Sequence, residues 1–239
     1  MKTSPLHYSF VFWYMRRGKG AGGSEAPLPK KDGENAKEVE PAAESHDAPP
    51  HETTATGSSA NNVANPYESS IKEIATVSTV EEFWTVYDWL NRPNDLPNTT
   101  DFHFFRKGIK PTWEDPENVK GGKWLIRLKK GLASRYWEEI LLAMVGQQFH
   151  GVPAEEINGA VVSIRYAEDI ISIWNRTAFD REITEKIRDG IKKILRLPGH
   201  VHMEYKPHQA SLQDKSSFRN TTVWKPKSER TPAAPQGDV

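Results

Sequence analysis

Between Met15 and Pro66 the chain has no aromatic residue, although eight tryptophans, seven tyrosines and nine phenylalanines occupy the remainder. The same stretch offers only Met15, Leu28, Val39 and Val63 as sizeable apolar side chains, scattered among Gly, Pro, Ala, Ser, Glu and Lys. Such a segment cannot bury enough apolar surface to offset the entropy of ordering it. Residues 18–64 are therefore expected to be a disordered, low-complexity insert. The foldable part is an N-terminal segment, 1–17, joined across that insert to residues 65–208 as a single domain, with a polar tail over 209–239.

The aromatic remainder has period. His7 to Tyr14 alternates Tyr8, Phe10, Phe12 and Tyr14 against Trp13 and reads as a strand. Ser78 or Thr79 caps a helix with acids in its first turn, and Phe83, Tyr87 and Leu90 follow at i, i+4 and i+7 as its core face. Asp101 to Arg106 and Trp124 to Leu128 alternate as strands, and a second helix is expected from about Ser134 to Phe149. Ile157 to Tyr166 and Ile170 to Trp174 form a hairpin. Ile183, Ile187, Ile191, Ile194 and Leu195 mark a third helix, stopped at Leu197-Pro198-Gly199, and a strand from Val201 to Lys206 follows. Three helices among hairpin-linked strands imply an α+β fold, one antiparallel sheet with helices on one face and the other face free for a flat ligand.

Lys110-Pro-Thr-Trp-Glu-Asp115, followed by Lys120-Gly-Gly-Lys-Trp124, supplies a loop-borne indole, a neighbouring carboxylate and cations within a short span. Those groups suit a purine that carries phosphates: the ring stacks on the indole, the carboxylate accepts from guanine N1 and N2, and the cations meet phosphate. The competing reading is a half-buried loop tryptophan. Lys plus Arg equals Asp plus Glu at 32, so no global field attracts nucleic acid, and recognition must be local. The chain lacks cysteine, a phosphate-binding Gly-x-x-x-x-Gly-Lys loop and a Gly-x-Ser-x-Gly elbow. His103, Glu114 and Asp115 as acid and base, or His200 and His202 as metal ligands, have no spacing that completes a site. A binding protein without enzymatic activity, cofactor or metal is expected. The apolar run Phe10–Met15 is too short for a bilayer, and a soluble, cytoplasmic chain is expected.

Six ordered motifs carry a resemblance. Pro5-Leu-His-Tyr-Ser-Phe-Val-Phe-Trp13, Val80-Glu-Glu-Phe-Trp84, Gly108 to Asp115, Gly121-Gly-Lys-Trp124, Trp137 to Gly146 and Arg165 to Trp174 together resemble the eukaryotic translation initiation factor 4E family. Tyr67 and the wording Ile170-Ile-Ser-Ile-Trp-Asn-Arg-Thr-Ala178 are most similar to its class-two, 4E-homologous branch. The resemblance implies a cup-shaped antiparallel sheet with three helices on the convex back and the 7-methylguanosine cap of mRNA on the concave side. It implies that Tyr67 and Trp113 sandwich the base, Trp174 touches the N7 methyl, and Glu114 takes the N1 and N2 hydrogens while the Trp113 N–H meets O6. Arg165, helped by Lys123, would hold the phosphates. On the back, Pro5, Val80, Trp84, Glu139, Leu142 and Gly146 would receive a helix with a Tyr-x-x-x-x-Leu-hydrophobic motif, from initiation factor 4G or a 4E-binding repressor. Read alone, Val80 and Trp84 are more often core than docking surface; Trp13, Trp124 and Trp137 are read as structural. A monomer is expected.

Methylation at N7 places positive charge on the purine, so aromatic faces gain a cation–π interaction that unmethylated guanine lacks, on the order of 1 kcal/mol or more per ring when desolvated. Three departures from the family pattern stand out: Tyr67 in place of Trp is a weaker stacking partner and points to lower affinity than a two-tryptophan pocket, Lys123 in place of Arg trades a fork for a point charge, and Ile170 in place of a phosphate-side Lys removes one cation. The second reading is a protein-interaction relative with a disabled cap pocket, acting as competitor or scaffold for partner proteins.

Overall fold

The computed structural model describes residues 3–16, 70–199 and 201–224. The insert at 18–64, Tyr67 and His200 lie outside the described residues. Eight strands form one curved antiparallel sheet: β1 (Pro5–Arg16), β2 (Lys72–Thr79), β3 (Thr100–Arg106), β4 (Gly122–Leu128), β5 (Ile157–Ile164), β6 (Asp169–Asn175), β7 (Met203–Pro207) and β8 (Thr222–Trp224). Their order across the sheet is β2-β1-β3-β5-β6-β4-β7-β8. Four helices accompany them among the described residues: α1 (Val80–Trp89), α2 (Ala133–Val145), α3 (Arg181–Ile194) and the short α4 (His208–Asp214).

Side-chain alternation sorts the central strands into two faces. Phe102 and Phe104 of β3, Ala160 and Val162 of β5, Ile171 and Ile173 of β6, and Trp124 and Ile126 of β4 enter the large core beneath the helices. That core also takes Phe83 and Tyr87 from α1, Trp137, Ile140 and Leu141 from α2, and Ile187 and Ile191 from α3. The intervening residues Phe105, Val161 and Trp174 face the other way and build a separate small cluster with Ile109. This second cluster is the floor of the concave face.

Local chemistry fixes the helix ends. Thr79 caps α1 by accepting from the Glu82 N–H at 3.1 Å, and Glu82 accepts in return from the Ser78 N–H at 2.7 Å. The Ser4 carbonyl accepts from the Val80 N–H at 2.9 Å, so the start of β1 is tied to the start of α1. Asp180 caps α3 through the Ile183 N–H at 3.0 Å, and Lys192 and Lys193 occupy its last turn, where cations suit the helix dipole. The indole N–H of Trp124 donates to the Thr184 carbonyl at 2.9 Å, fastening α3 to β4.

Four differences from the sequence expectation have physical causes. Strand β2 is an edge strand with only Val77 buried and Ile74 exposed, so its apolar alternation is faint. Helix α2 ends at Val145 instead of Phe149, because Gly146 caps it and Gln147 turns to φ 50°. The expected three helices are joined by a fourth, α4, and the segment read as a polar tail from 209 carries this helix and β8. Its buried members are His208 and Ser211, polar residues that no hydrophobic pattern reveals.

Candidate cap-binding site

The loop from Lys107 to Gly121 holds its shape by side-chain hydrogen bonds to its own backbone. Asp115 accepts from the Lys110 and Glu117 N–H groups, each at 2.9 Å. Buried Asn118 donates to the carbonyls of Lys110 and Thr112, both at 2.8 Å. Asn158 of β5 donates to the Glu117 carbonyl at 2.7 Å and to the Asn118 side chain at 3.0 Å, anchoring the loop to the sheet. The loop so fixed lays Trp113, half-buried, against the cluster of Phe105, Ile109, Val161 and Trp174. Glu114, the next residue, is exposed at the loop surface. Gly121 closes the loop where a Cβ would collide with the Asn175 carbonyl, and Gly159 lies so close to the Phe105 ring that a Cβ there would overlap it.

Trp174 is 3% exposed, edge-on to Phe105 with centroids 5.3 Å apart and 4.1 Å from the His208 ring. The ammonium of Lys123 lies 5.2 Å from the Trp174 ring centre, 5.7 Å from that of Trp113 and 5.5 Å from that of Phe218, and the residue is only 2% exposed. Arg165 pairs with Asp101 at 2.7 Å and donates to the Ile164 and Thr100 carbonyls at 2.9 and 3.3 Å, which aims its guanidinium along one line. That guanidinium sits 6.0 Å from Phe218. Ile170 shares the concave side of β6 with Trp174 by alternation and is buried.

Trp113, Lys123, Arg165 and Trp174 thus gather on one face, with Glu114 at its edge. Sequence reasoning missed Asn118, Asn158, His208 and Phe218. Only the last had a visible signal, as an aromatic in an otherwise polar segment. Burial and the nearby Lys123 charge push the His208 pKa well down, so this ring is neutral. No group of three or more His, Cys, Asp or Glu side chains suited to a metal occurs among the described residues, and no described helix is long and apolar enough to cross a membrane.

On the back, Trp84 is 38% exposed and Val80 likewise lies open, while Phe83 and Tyr87 of the same helix are buried. Leu142 and Glu139 of α2 are half-buried, Gly146 and Pro5 are exposed, and Glu139 pairs with Arg135 at 2.9 Å. Trp124 and Trp137 are core, as expected, and Trp89, which the sequence left without a role, projects into solvent.

A curved sheet with helices behind it and an indole-and-cation cluster in front defines a binding domain with an aromatic, cation-flanked face. The family model for Eukaryotic initiation factor 4E matches residues 5–223, and the chain belongs to that family. It is 51% identical over 155 residues to the Eukaryotic translation initiation factor NCBP of Oryza sativa subsp. japonica, covering 65% of this chain and 67% of the relative. The Eukaryotic translation initiation factor 4E-4 of Caenorhabditis elegans is 47% identical over 156 residues, covering 65% and 73%. Among solved structures, the complex of C. elegans eIF4E-3 with the 4E-binding protein Mextli and cap analog superposes with a TM-score of 0.67 at 26% identity, over 89% of this chain and 96% of that one.

Proposed function

We propose that this protein binds the 7-methylguanosine 5′ cap of mRNA on its concave face and acts in translation initiation or its repression through a partner on its back. The observation that carries the reading is the convergence of Trp113, Trp174 and the Lys123 ammonium on one small patch. Two indoles suit a cationic purine, and cations beside them suit its phosphates. Glu114 gives guanine selectivity, and Tyr67 supplies the second face of the sandwich. Arg165, held by Asp101, is a fixed fork for the phosphate chain. The partner face comprises Pro5, Val80, Trp84, Glu139, Leu142 and Gly146, and takes an amphipathic helix by its apolar anchors. The protein works as a cytoplasmic monomer and carries out no turnover.

Quenching of tryptophan fluorescence by 7-methyl-GTP, compared with GTP and with Trp113→Ala, tests the cap reading. Saturable quenching that needs both the methyl group and Trp113 is expected. The second reading, a partner-binding relative with a disabled pocket, draws on the near-complete burial of Lys123 and Trp174, since a ligand must draw the ammonium away from the rings. Equal, weak responses to both nucleotides would favour that reading.

A further inference from the structure

We propose that the cleft between the turn that follows α2 and the second half of α3 binds a phosphorylated serine or threonine on an extension of the partner that docks on the back; this rests on the back-face reading above. The cleft has a volume of about 450 Å³, and Lys186, Lys193 and Arg196 line it, with His150 and Gln148 as further hydrogen-bond donors. The one acid on its wall, Asp189, is engaged by Arg188 at 2.8 and 3.0 Å. Lys186 pairs with Glu182 at 2.7 Å, whereas Lys193 and Arg196 have no acidic partner among the described residues. The wall carries uncompensated positive charge, so its occupant is an anion.

Two backbone features shape the cleft. Gly190 lies within α3, where glycine is unfavourable, and a Cβ there would stand 3.3 Å from the Phe149 ring. Its missing side chain leaves the floor between helix and turn bare. The end of α3 is closed by crossed bonds, the Leu197 N–H to the Lys192 carbonyl at 3.0 Å and the Arg196 N–H to the Lys193 carbonyl at 3.3 Å. Arg196 takes the left-handed position of that closure, φ 49°, which glycine fills with least strain. Because the backbone satisfies these carbonyls, the charged heads of Lys193 and Arg196 are left for a ligand.

The chemistry of the wall selects among anions. It offers no Phe, Tyr or Trp face for a base, and its cations surround one enclosure instead of following a track, so a strand of RNA is disfavoured. A phosphate monoester carries up to about two negative charges and three acceptor oxygens, and it suits a guanidinium fork flanked by ammonium groups better than one carboxylate does. The route from the partner face is short. The Gln148 side-chain amide lies 3.3 Å from where a Cβ on Gly146 would stand, and Gln148 also lines the cleft. A chain that leaves a helix docked over Gly146 reaches these cations directly.

Calorimetric titration of the full chain tests this with a synthetic helix bearing the Tyr-x-x-x-x-Leu-hydrophobic motif, extended at one end or the other by a flexible Gly-Ser linker and a final serine, phosphoserine or glutamate. Phosphoserine at one of the two ends should raise affinity about tenfold over serine, and glutamate about twofold or less. Lys193 and Arg196 are exposed, so substituting them leaves the core intact. Lys193→Gln with Arg196→Gln should cancel the gain and leave the serine peptide's affinity unchanged, while Lys193→Arg with Arg196→Lys should keep most of the gain. Motif binding that phosphate leaves unchanged at both ends, or a gain that survives the double Gln substitution, overturns the proposal. Equal gains from phosphoserine and glutamate would make the cleft a patch for any carboxylate. Binding of an uncapped oligouridine that the double Gln substitution abolishes would make it part of an RNA path, and either result overturns the proposal too. Failure of the serine peptide to bind wild type overturns the back-face reading and this proposal together, an outcome distinct from the others.

Discussion

Arg165, the residue after β5, meets Asp101 of β3, Nη2 to Oδ1 at 2.7 Å, with the carboxylate almost wholly buried and the guanidinium partly open. The pair aims a cation at the concave face from a fixed base, and the two backbone carbonyls that Arg165 also engages leave it little freedom to drift. Asp101→Asn should retain the shape and lose the charge that orients the fork. Binding of 7-methyl-GTP is expected to weaken about three- to tenfold, in line with one charge-assisted hydrogen bond. The preference for the methylated base should not change, because the aromatic faces are untouched. Titration of both nucleotides by fluorescence checks this, and a lost methyl preference would show that Asp101 supports the rings as well.

Gly159 makes a sharper demand. Its Cα lies against the Phe105 ring, which in turn supports Trp174 edge-on. Gly159→Ala inserts a methyl group where the ring lies and should cost about 1–3 kcal/mol of stability. Gly199→Ala, which meets nothing within 4 Å, is the matched control and should cost far less. Urea denaturation of both variants measures the difference. If Gly159→Ala proved as stable as wild type, the concave floor would be looser than its packing implies.

His208 carries a pH dependence. The ring is fully buried against Trp174, and burial with the Lys123 charge lowers its pKa well below the ordinary 6.5. In the unfolded chain the same group titrates near its ordinary value, so below about pH 6.5 the unfolded state binds more protons. Its contribution to stability is complete above that pH and declines as the pH falls. Thermal melts of wild type should therefore lose more stability between neutral and mildly acidic pH than those of His208→Phe, which has nothing to protonate. Parallel pH profiles for the two proteins would mean that the imidazole is solvated in the folded state.

How far the sequence foretold this site depends on which residues carry a pattern. Trp113 and Lys123 were legible because an indole beside a Pro turn and a cation beside Gly-Gly are rare and chemically pointed, whereas Trp174 entered only through the family resemblance. The capped start of α1 and the stripe of α3 were legible from spacing alone. Asn118 and Asn158, which hold the Trp113 loop, were not, since Asn118 works by bonding to carbonyls six and eight residues back and Asn158 by bonding to a carbonyl 41 residues away, and neither leaves a periodic trace. His208 stayed hidden because a buried polar residue in a polar segment leaves no periodic trace. Strand β2 was missed because an edge strand with a single buried position looks like a loop.

Trp84 tests the back face independently of the front. Its indole is edge-on to Phe83 and Tyr87, with ring centres 5.3 and 5.9 Å apart, yet it remains substantially exposed while both neighbours are buried. An aromatic placed so is an anchor candidate, and removing such an anchor typically weakens binding by about 2 kcal/mol or more, some thirtyfold. Trp84→Ala should therefore abolish measurable capture of a synthetic helix bearing the Tyr-x-x-x-x-Leu-hydrophobic motif. Its response to 7-methyl-GTP should match wild type, because Trp113 and Trp174 lie across the sheet from α1. Calorimetric titration with the peptide and fluorescence titration with the nucleotide, on the same preparation, separate the two faces. A variant that lost both activities would show that Trp84 is part of the core it borders, and the docking surface would then have to be sought elsewhere on the helical face.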